Sequence, residues 1–211
     1  MAWRQRRRFL WALCTLCLMT ASLAAEPERK DLHPNDAVKA SPEYKAFKSA
    51  RDAEDNDGML ENARRLLEKF PASALSHFAL GDAHWILGEY ERMLPPLRRT
   101  VELDPQDALS WALLGEGLFA LRRFAEAIPA FQEATRLDPD DAMSWSRLGS
   151  ACMRLKRWPE SEAHLLKALA LKPSLDTERQ ARGLLTTLYF RQGKAEKAEA
   201  SALESLKLAP D

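Results

Sequence analysis

The stretch that decides the fold runs from residue 108 to residue 141 and reads ALSWALLGEGLFALRRFAEAIPAFQEATRLDPDD. Its first half carries Trp111, Leu114 and Leu118, whose i, i+3, i+7 spacing places them on one face of a helix. The second half has apolar residues at i, i+4 and i+7, namely Ala127, Phe131 and Ala134, which also share one helix face. The stretch therefore predicts two amphipathic helices joined by a short polar turn.

The same pattern recurs at a distance of 34 residues on both sides of this stretch. Trp111 and Gly115 become Trp145 and Gly149 in the next unit. The period is also marked by prolines, at Pro71, Pro105, Pro139 and Pro173. Self-similarity at a fixed period of this length predicts an array of helical units, in which each unit packs on its neighbours.

The prolines and the residues after them predict where the units begin and end. A proline cannot continue a helix, and the serine or aspartate that follows suits the N-cap of the next one. A capping box from Thr177 to Gln180 is expected to open the last unit after a three-residue insertion. The predicted units, each with two helices, are residues 40–73, 74–107, 108–141, 142–175 and 179–211.

The recurring residues resemble the tetratricopeptide repeat family, whose 34-residue unit has tryptophan, leucine and glycine in its first helix and alanine, phenylalanine and proline in its second. Residues 108–141 match it at eight positions: Trp111, Leu114, Gly115, Leu118, Ala127, Phe131, Ala134 and Pro139. The resemblance implies an all-α fold, a right-handed α-solenoid of about five helix-turn-helix repeats. It also implies a scaffold for protein–protein interaction.

By this resemblance, the first helix of each unit lines a concave groove that binds a peptide. The residues predicted to line it are Leu75, Phe78, Asp82, Trp85, Leu109, Leu113, Glu116, Phe119, Met143, Arg147, Met153 and Arg154. Large apolar side chains at positions that the repeat does not need favour an apolar or amphipathic ligand. The charged members would orient it. The alternative is that some of these residues pack against neighbouring helices or the lead-in peptide.

The groove does not match the pattern of family members that grip the C-terminal carboxylate of chaperones. These use two lysines, two asparagines and an arginine at set positions. The corresponding residues here are Phe78, Asp82, Leu113, Met143 and Arg147, of which only the arginine fits.

The N-terminus predicts export. Residues 1–24 have a basic start, an apolar run from Phe9 to about Leu18 and a small-residue close that fits cleavage after Ala24. The expected location is the periplasm. An uncleaved anchor facing the periplasm is the alternative, because residues 9–25 would span about 25 Å as a helix against a hydrocarbon core of about 30 Å. Residues 25–40 are polar and lack periodicity, which predicts a flexible lead-in.

Composition and motifs argue against catalysis and metal binding. The sequence has no G-x-S-x-G, H-E-x-x-H or phosphate-loop motif. His77 and His84 occupy positions that hold core residues in the next unit, so packing explains them better than metal binding. Residues 55–58 resemble a calcium loop, but Ala53 and Arg64 stand where carboxylates are required. We therefore expect no cofactor, no metal and no enzymatic activity.

Charge makes nucleic acid an unexpected partner. The chain has equal numbers of basic and acidic residues, 31 of each, and four of the arginines lie in residues 1–24. No basic stripe interleaved with aromatic residues stands out. The expected partner is a protein or peptide, with cell-envelope assembly as the setting. The alternative is a self-associating structural subunit, joined through the C-terminal helix by Leu203 and Leu206.

Overall fold

The computed structural model describes residues 34–208, and within these residues all regular secondary structure is α-helical. The predicted export signal, residues 1–24, and the first part of the predicted lead-in lie outside the described residues. A short helix, α1, spans Pro34–Ala40. No helix among residues 34–208 combines the length and the apolar character needed to cross a membrane.

Five helical hairpins follow α1. Their helices are α2 (Pro42–Asp52) and α3 (Asn56–Lys69); α4 (Ala74–Ile86) and α5 (Tyr90–Leu103); α6 (Ala108–Ala120) and α7 (Phe124–Leu137); α8 (Ala142–Arg154) and α9 (Trp158–Ala170); α10 (Leu175–Arg191) and α11 (Ala195–Leu206). We call these hairpins repeats 1 to 5. Each helix packs on the next along the chain, as in a solenoid.

The first helices of the repeats lie on the inner side of the stack. Contacts join α4 to α6, α6 to α8 and α8 to α10, in addition to the contacts between successive helices. First helices that touch one another across a whole repeat are closer together than the second helices, and this indicates the concave side. The groove expected from the resemblance is therefore lined by α4, α6 and α8.

Close approach of the two helices in a repeat explains the recurring glycine. A Cβ atom added at Gly115 would lie 2.7 Å from ring carbons of Phe131, which is too close for any real contact. Phe131 is itself fully buried. The large side chain of the second helix therefore fills the space that the glycine leaves open, as the sequence pattern predicts.

A hydrogen bond to the preceding unit explains the recurring tryptophan. The indole N–H of Trp111 donates to the Pro105 carbonyl at 3.1 Å, and that of Trp145 donates to the Pro139 carbonyl at 2.9 Å. His77 occupies the same position in repeat 2, and its Nε2 lies 2.9 Å from the Pro71 carbonyl oxygen. In repeats 2 to 4 this side chain therefore joins the first helix to the turn before it, and His77 makes a hydrogen bond there in place of the tryptophan.

The lead-in is shorter than the sequence predicts, because residues 34–40 form α1 instead of a flexible segment. Val38 is completely buried in the apolar cluster of repeats 1 and 2. The Asn35 side-chain oxygen accepts hydrogen bonds from the Ser73 hydroxyl at 2.7 Å and from the Leu75 N–H at 3.2 Å. Ser73 makes no capping bond with its own side chain, so Asn35 caps α4 in its place.

The last repeat begins earlier than the predicted start at residue 179. Helix α10 starts at Leu175, and the Ser174 hydroxyl accepts a hydrogen bond from the Thr177 N–H. Ser174 follows Pro173 directly, so a serine cap ends the connection before the expected capping box is reached. The insertion therefore lengthens the first helix of repeat 5 at its N-terminus.

Candidate peptide-binding groove

One row of groove residues lies at the N-terminal ends of the first helices and consists of Leu75, Leu109 and Met143. Leu75 is half-buried and packs against the cluster that contains Val38 of α1. Leu109 is 61% exposed and Met143 is 46% exposed. We call these three residues the entry row. Helix α1 of the same chain therefore shields Leu75, and it leaves Leu109 and Met143 exposed.

Three of the four charged groove residues form ion pairs within the protein. Asp82 forms an ion pair with Arg51, in which a carboxylate oxygen lies 3.0 Å from a guanidinium nitrogen. Glu116 forms an ion pair with Arg147, in which the corresponding distance is 2.5 Å. Burial raises the pKa of the Asp82 and Glu116 carboxyls, and the neighbouring arginine in each case opposes that rise. These pairs join the first helices of adjacent repeats.

The pairing corrects the expectation that Asp82 orients a ligand. Asp82 is only 4% exposed, so its carboxylate is covered by the protein itself. Glu116 and Arg147 neutralise one another and are half-buried. Arg154 differs, because it is exposed and its guanidinium carbon lies 5.8 Å from the centre of the Phe124 ring. Of the four charged residues in the predicted site, only Arg154 is left without an ion-pair partner among residues 34–208.

The apolar residues in the middle of the groove are shared between core and surface. Phe78, Trp85, Leu113 and Phe119 are half-buried and pack against the central core cluster. Met153 packs in the same way against the cluster of the last repeats. The alternative of packing against neighbouring helices thus accounts for much of their burial. What they offer to a ligand is the remaining exposed part of each side chain.

A second row lies at the C-terminal ends of the first helices. The Trp85 and Tyr90 rings have centroids 5.5 Å apart, and those of Phe119 and Phe124 are 5.1 Å apart in an edge-to-face arrangement. One residue in each pair belongs to the first helix and the other opens the second helix. In repeat 5 the equivalent of Phe119 is Phe190, which is 77% exposed.

A cluster of cations, which the sequence analysis missed, lies beside this second row. A cavity of about 350 Å³ is lined by Phe124, Met153, Trp158, Leu184 and Thr187 together with the cations Arg122, Arg154, Lys156 and Arg191. All four cations are exposed, and none has an ion-pair partner within residues 34–208. We call this the basic pocket.

The basic pocket is invisible to a search for a continuous basic stripe, because its cations come from the C-terminal ends of the first helices of three repeats and the turns that follow them. Arg122 and Arg154 are 32 positions apart, and Arg191 lies further on. A sequence signal does exist in the repeat register, since Arg122 and Lys156 are 34 residues apart. Comparing the turn residues of successive repeats would have revealed it.

Other side chains with possible chemistry are engaged in packing. His84 Nδ1 lies 2.7 Å from a Glu89 carboxylate oxygen, and Cys152 is buried. Burial raises the pKa of the Cys152 thiol, which keeps it protonated. In the part of the chain that the structure describes, no group of three or more His, Cys, Asp or Glu residues is arranged to hold a metal ion.

The fold and the groove together define an α-solenoid of helical hairpins with an open inner face. A sequence model described as Tetratricopeptide repeat matches residues 44–108 and 112–176, which is more than half of the chain. The chain therefore belongs to the tetratricopeptide repeat family. None of the curated proteins matches it significantly in sequence.

Solved structures of repeat proteins share this fold. A crystal structure of MamA protein superposes with a TM-score of 0.71 at 20% identity, covering 79% of this chain and 89% of that one. MamA 41-end from Desulfovibrio magneticus RS-1 gives a TM-score of 0.71 at 16% identity, covering 80% and 96%. YrrB, described as a TPR protein with an unusual peptide-binding site, gives 0.69 at 16% identity, covering 84% and 90%. These similarities concern the fold alone.

Proposed function

We propose that this protein is an exported scaffold that holds an apolar or amphipathic segment of a partner protein in its groove. The setting is cell-envelope assembly, with the chain in the periplasm or anchored so that it faces the periplasm. The proposal assigns no catalytic role to the chain. Peptide binding described for YrrB, a protein of the same fold, is consistent with a ligand in the groove.

The observation that carries the proposal is the unequal cover of the entry row. At Leu75 the chain supplies α1, whose Val38 is completely buried. Leu109 and Met143 are at the equivalent positions of repeats 3 and 4, and nothing within residues 34–208 covers them to the same degree. Exposed apolar side chains in line with an occupied position support the binding of a second segment beside α1.

The manner in which α1 binds suggests what the ligand contributes. Asn35 caps α4, but Asp107 and Asp141 already cap α6 and α8 by accepting from Ser110 N–H and Ser144 N–H at 3.3 Å. A ligand at repeats 3 and 4 therefore gains little from capping. Burial of Leu109 and Met143 would supply its affinity, at about 1.5 to 3 kcal/mol for a fully buried side chain.

A test should use the entry row, because its side chains are exposed and can be changed without opening the core. We expect Leu109→Glu with Met143→Glu to weaken capture of envelope proteins at least about tenfold, since each glutamate would have to lose its water on binding. Helicity should be unchanged. Affinity capture from an envelope fraction, followed by mass spectrometry of the retained proteins, measures this.

Leu166→Glu is the matched control. Leu166 is 47% exposed and lies on α9, a second helix, away from the inner face. This variant should capture the same proteins as the wild type. Equal capture by the entry-row variant and the wild type would contradict the proposal. Export itself is tested by fractionating cells and sequencing the N-terminus of the mature chain, which should begin at Ala25 after cleavage.

Self-association is a second candidate, supported by the last repeat. Phe190 is 77% exposed, and Leu203 and Leu206 are also exposed on the same repeat. A cavity lined by Phe190, Ala195 and Ala202 lies between α10 and α11. If this surface joins two copies, Phe190→Glu should shift a dimer to monomer in sedimentation. A wild-type chain that stays monomeric at tens of micromolar would rule this candidate out.

A further inference from the structure

We infer that the basic pocket binds carboxylate side chains of the segment held in the groove, so that the preferred ligand is an acidic amphipathic peptide. This inference rests on the proposed function and adds the charge of the partner to it. The pocket consists of Arg122, Arg154, Lys156 and Arg191 around an aromatic wall. It lies at the C-terminal ends of α6, α8 and α10, next to the apolar groove.

The backbone at two of these cations is the first support. Arg122 and Lys156 both have a φ of +60°, in the left-handed region that side chains other than glycine rarely adopt. The equivalent turn residues of repeats 2 and 5 are Gly88 and Gly193, each with a φ of +71°. Glycine takes this conformation without steric cost, whereas arginine and lysine do not. Glu54 holds the same turn position in repeat 1 and also has a positive φ, of +55°, so the turn has this conformation in all five repeats. What distinguishes repeats 3 and 4 is that this turn position carries a cation.

The charge pattern along this edge of the groove is the second support. In repeat 1 the equivalent of Arg122 is Glu54, and the equivalent of Arg154 is Asp52. The edge therefore changes from acidic at repeat 1 to basic at repeats 3 to 5. An acidic ligand would be attracted to one end of the groove and repelled from the other, which determines where along the groove it binds.

The aromatic and apolar residues that line the basic pocket are the third support. The Arg154 guanidinium is held 5.8 Å from the Phe124 ring centre, and Trp158 and Leu184 line the same cavity. An arginine that rests on an aromatic ring keeps its N–H groups free for a carboxylate, to which it can donate two parallel hydrogen bonds. Apolar groups beside the cations suit an amphipathic ligand that carries glutamate or aspartate next to its aliphatic face.

The surroundings favour a peptide over a nucleic acid. A nucleic acid carries a charge at every phosphate and binds along a continuous basic track. Here the cations are confined to one pocket, and the charged residues further along the groove are neutralised in the Arg51–Asp82 and Glu116–Arg147 pairs.

The experiment compares two labelled peptides of about 12 residues, which would span about 18 Å as a helix. One consists of paired leucines and paired glutamates, and in the other every glutamate is replaced by glutamine. Fluorescence anisotropy with the full mature chain should show at least about tenfold tighter binding of the glutamate peptide, because charge-assisted hydrogen bonds are the strong ones. The difference should shrink in about 0.5 M salt, where charges are screened.

The decisive variant is Arg122→Gly with Lys156→Gly. Glycine relieves the left-handed strain, so this variant should fold at least as well as the wild type. We expect it to bind the glutamate peptide about tenfold more weakly and the glutamine peptide unchanged. Arg99→Gln with Arg136→Gln is the matched control, because it removes the same charge from exposed pairs on α5 and α7. This control should bind both peptides like the wild type.

The outcomes separate the inference from the proposed function. If both peptides bind the wild type equally well, or if the glycine variant loses nothing, the inference is wrong and the groove remains a peptide site. If neither peptide binds, the proposed function and the inference fail together. Tighter binding of a single-stranded oligonucleotide than of the glutamate peptide would assign the pocket to nucleic acid and overturn the inference. Self-association that the glycine variant abolishes would overturn it in favour of a second copy.

Discussion

The middle repeats and the end repeats differ in which helix carries the larger side chain at the closest contact between the two helices. In repeats 2 to 4 a glycine of the first helix faces a large residue of the second, as in the contacts of Gly81 with Leu97, Gly115 with Phe131 and Gly149 with Leu165. In repeat 1 the equivalent residues are Phe47 and Ala63, and in repeat 5 they are Thr186 and Ala202. The larger side chain has moved to the first helix at both ends.

Repeats 1 and 5 differ in how deeply these residues are buried. Phe47 and Ala63 are buried, and the cluster around them includes Val38 of α1. Thr186 and Ala202 are only half-buried, and Phe190 nearby is 77% exposed. Within residues 34–208 the array is therefore closed at its N-terminal end by its own helix and open at repeat 5. Unit sequence alone does not determine burial in an array, because neighbours supply half of each core.

The largest effect is expected for Phe131→Ala, in the middle of the array. Phe131 is completely buried against Gly115, so its loss should lower the free energy of unfolding by about 3 to 5 kcal/mol. Leu203→Ala removes a 52% exposed side chain in repeat 5 and should cost less than about 0.5 kcal/mol. Urea unfolding followed by circular dichroism measures both. Equal losses would show that repeat 5 is as tightly packed as repeat 3.

Two glycine-to-alanine substitutions, one in repeat 3 and one in repeat 5, should change stability by intermediate amounts and in opposite directions. Gly115→Ala would place a Cβ 2.7 Å from the Phe131 ring, so we expect it to destabilise the protein by about 1 to 3 kcal/mol. Gly183→Ala lies in α10, where an added Cβ would meet nothing within 4 Å. Alanine is the better helix former there and should stabilise by about 0.5 to 1 kcal/mol. Thermal unfolding of the two variants checks both signs, and destabilisation by Gly183→Ala would contradict the open packing of repeat 5.

The sequence predicts the middle repeats well because their packing is periodic. Gly115, Phe131 and Pro139 recur in register, so the period reveals both the helix pairs and the residues between them. The end helix α1 is different, because seven residues are too few to show a helical period. Its structure depends on contacts with α4 through Asn35, which are long-range in sequence and therefore have no local signal.

The groove was predicted less completely than the fold for a related reason. The entry row follows from the repeat register, so Leu109 and Met143 could be named from the sequence. The pairing of Asp82 with Arg51 could not, because it joins different positions of two repeats. Charge on a side chain does not reveal whether the protein itself neutralises it, and this decides whether the side chain is available to a ligand.

The smallest effect is a pH dependence that differs between the middle and the end of the array. Burial raises the pKa of Glu116 in repeat 3 above its unfolded value, with Arg147 opposing the rise. Glu162 in repeat 4 faces the last repeat, and its pKa is lowered: burial would raise it, but the Tyr189 hydroxyl and Lys197 outweigh that effect. A raised carboxyl pKa means that stability is gained as pH falls through the folded value, and a lowered one means that stability is lost.

Two glutamine variants separate these contributions between about pH 7 and about pH 3. As the pH falls, Glu116→Gln should lose stability relative to the wild type, because it lacks the gain that protonation of Glu116 provides. Glu162→Gln should gain relative to the wild type, because it has no stabilising carboxylate to lose. Urea unfolding at several pH values gives both differences. If they have the same sign, then Glu116 is not held in a desolvated pair, and the groove centre at repeat 3 is as open to water as the edge at repeat 5.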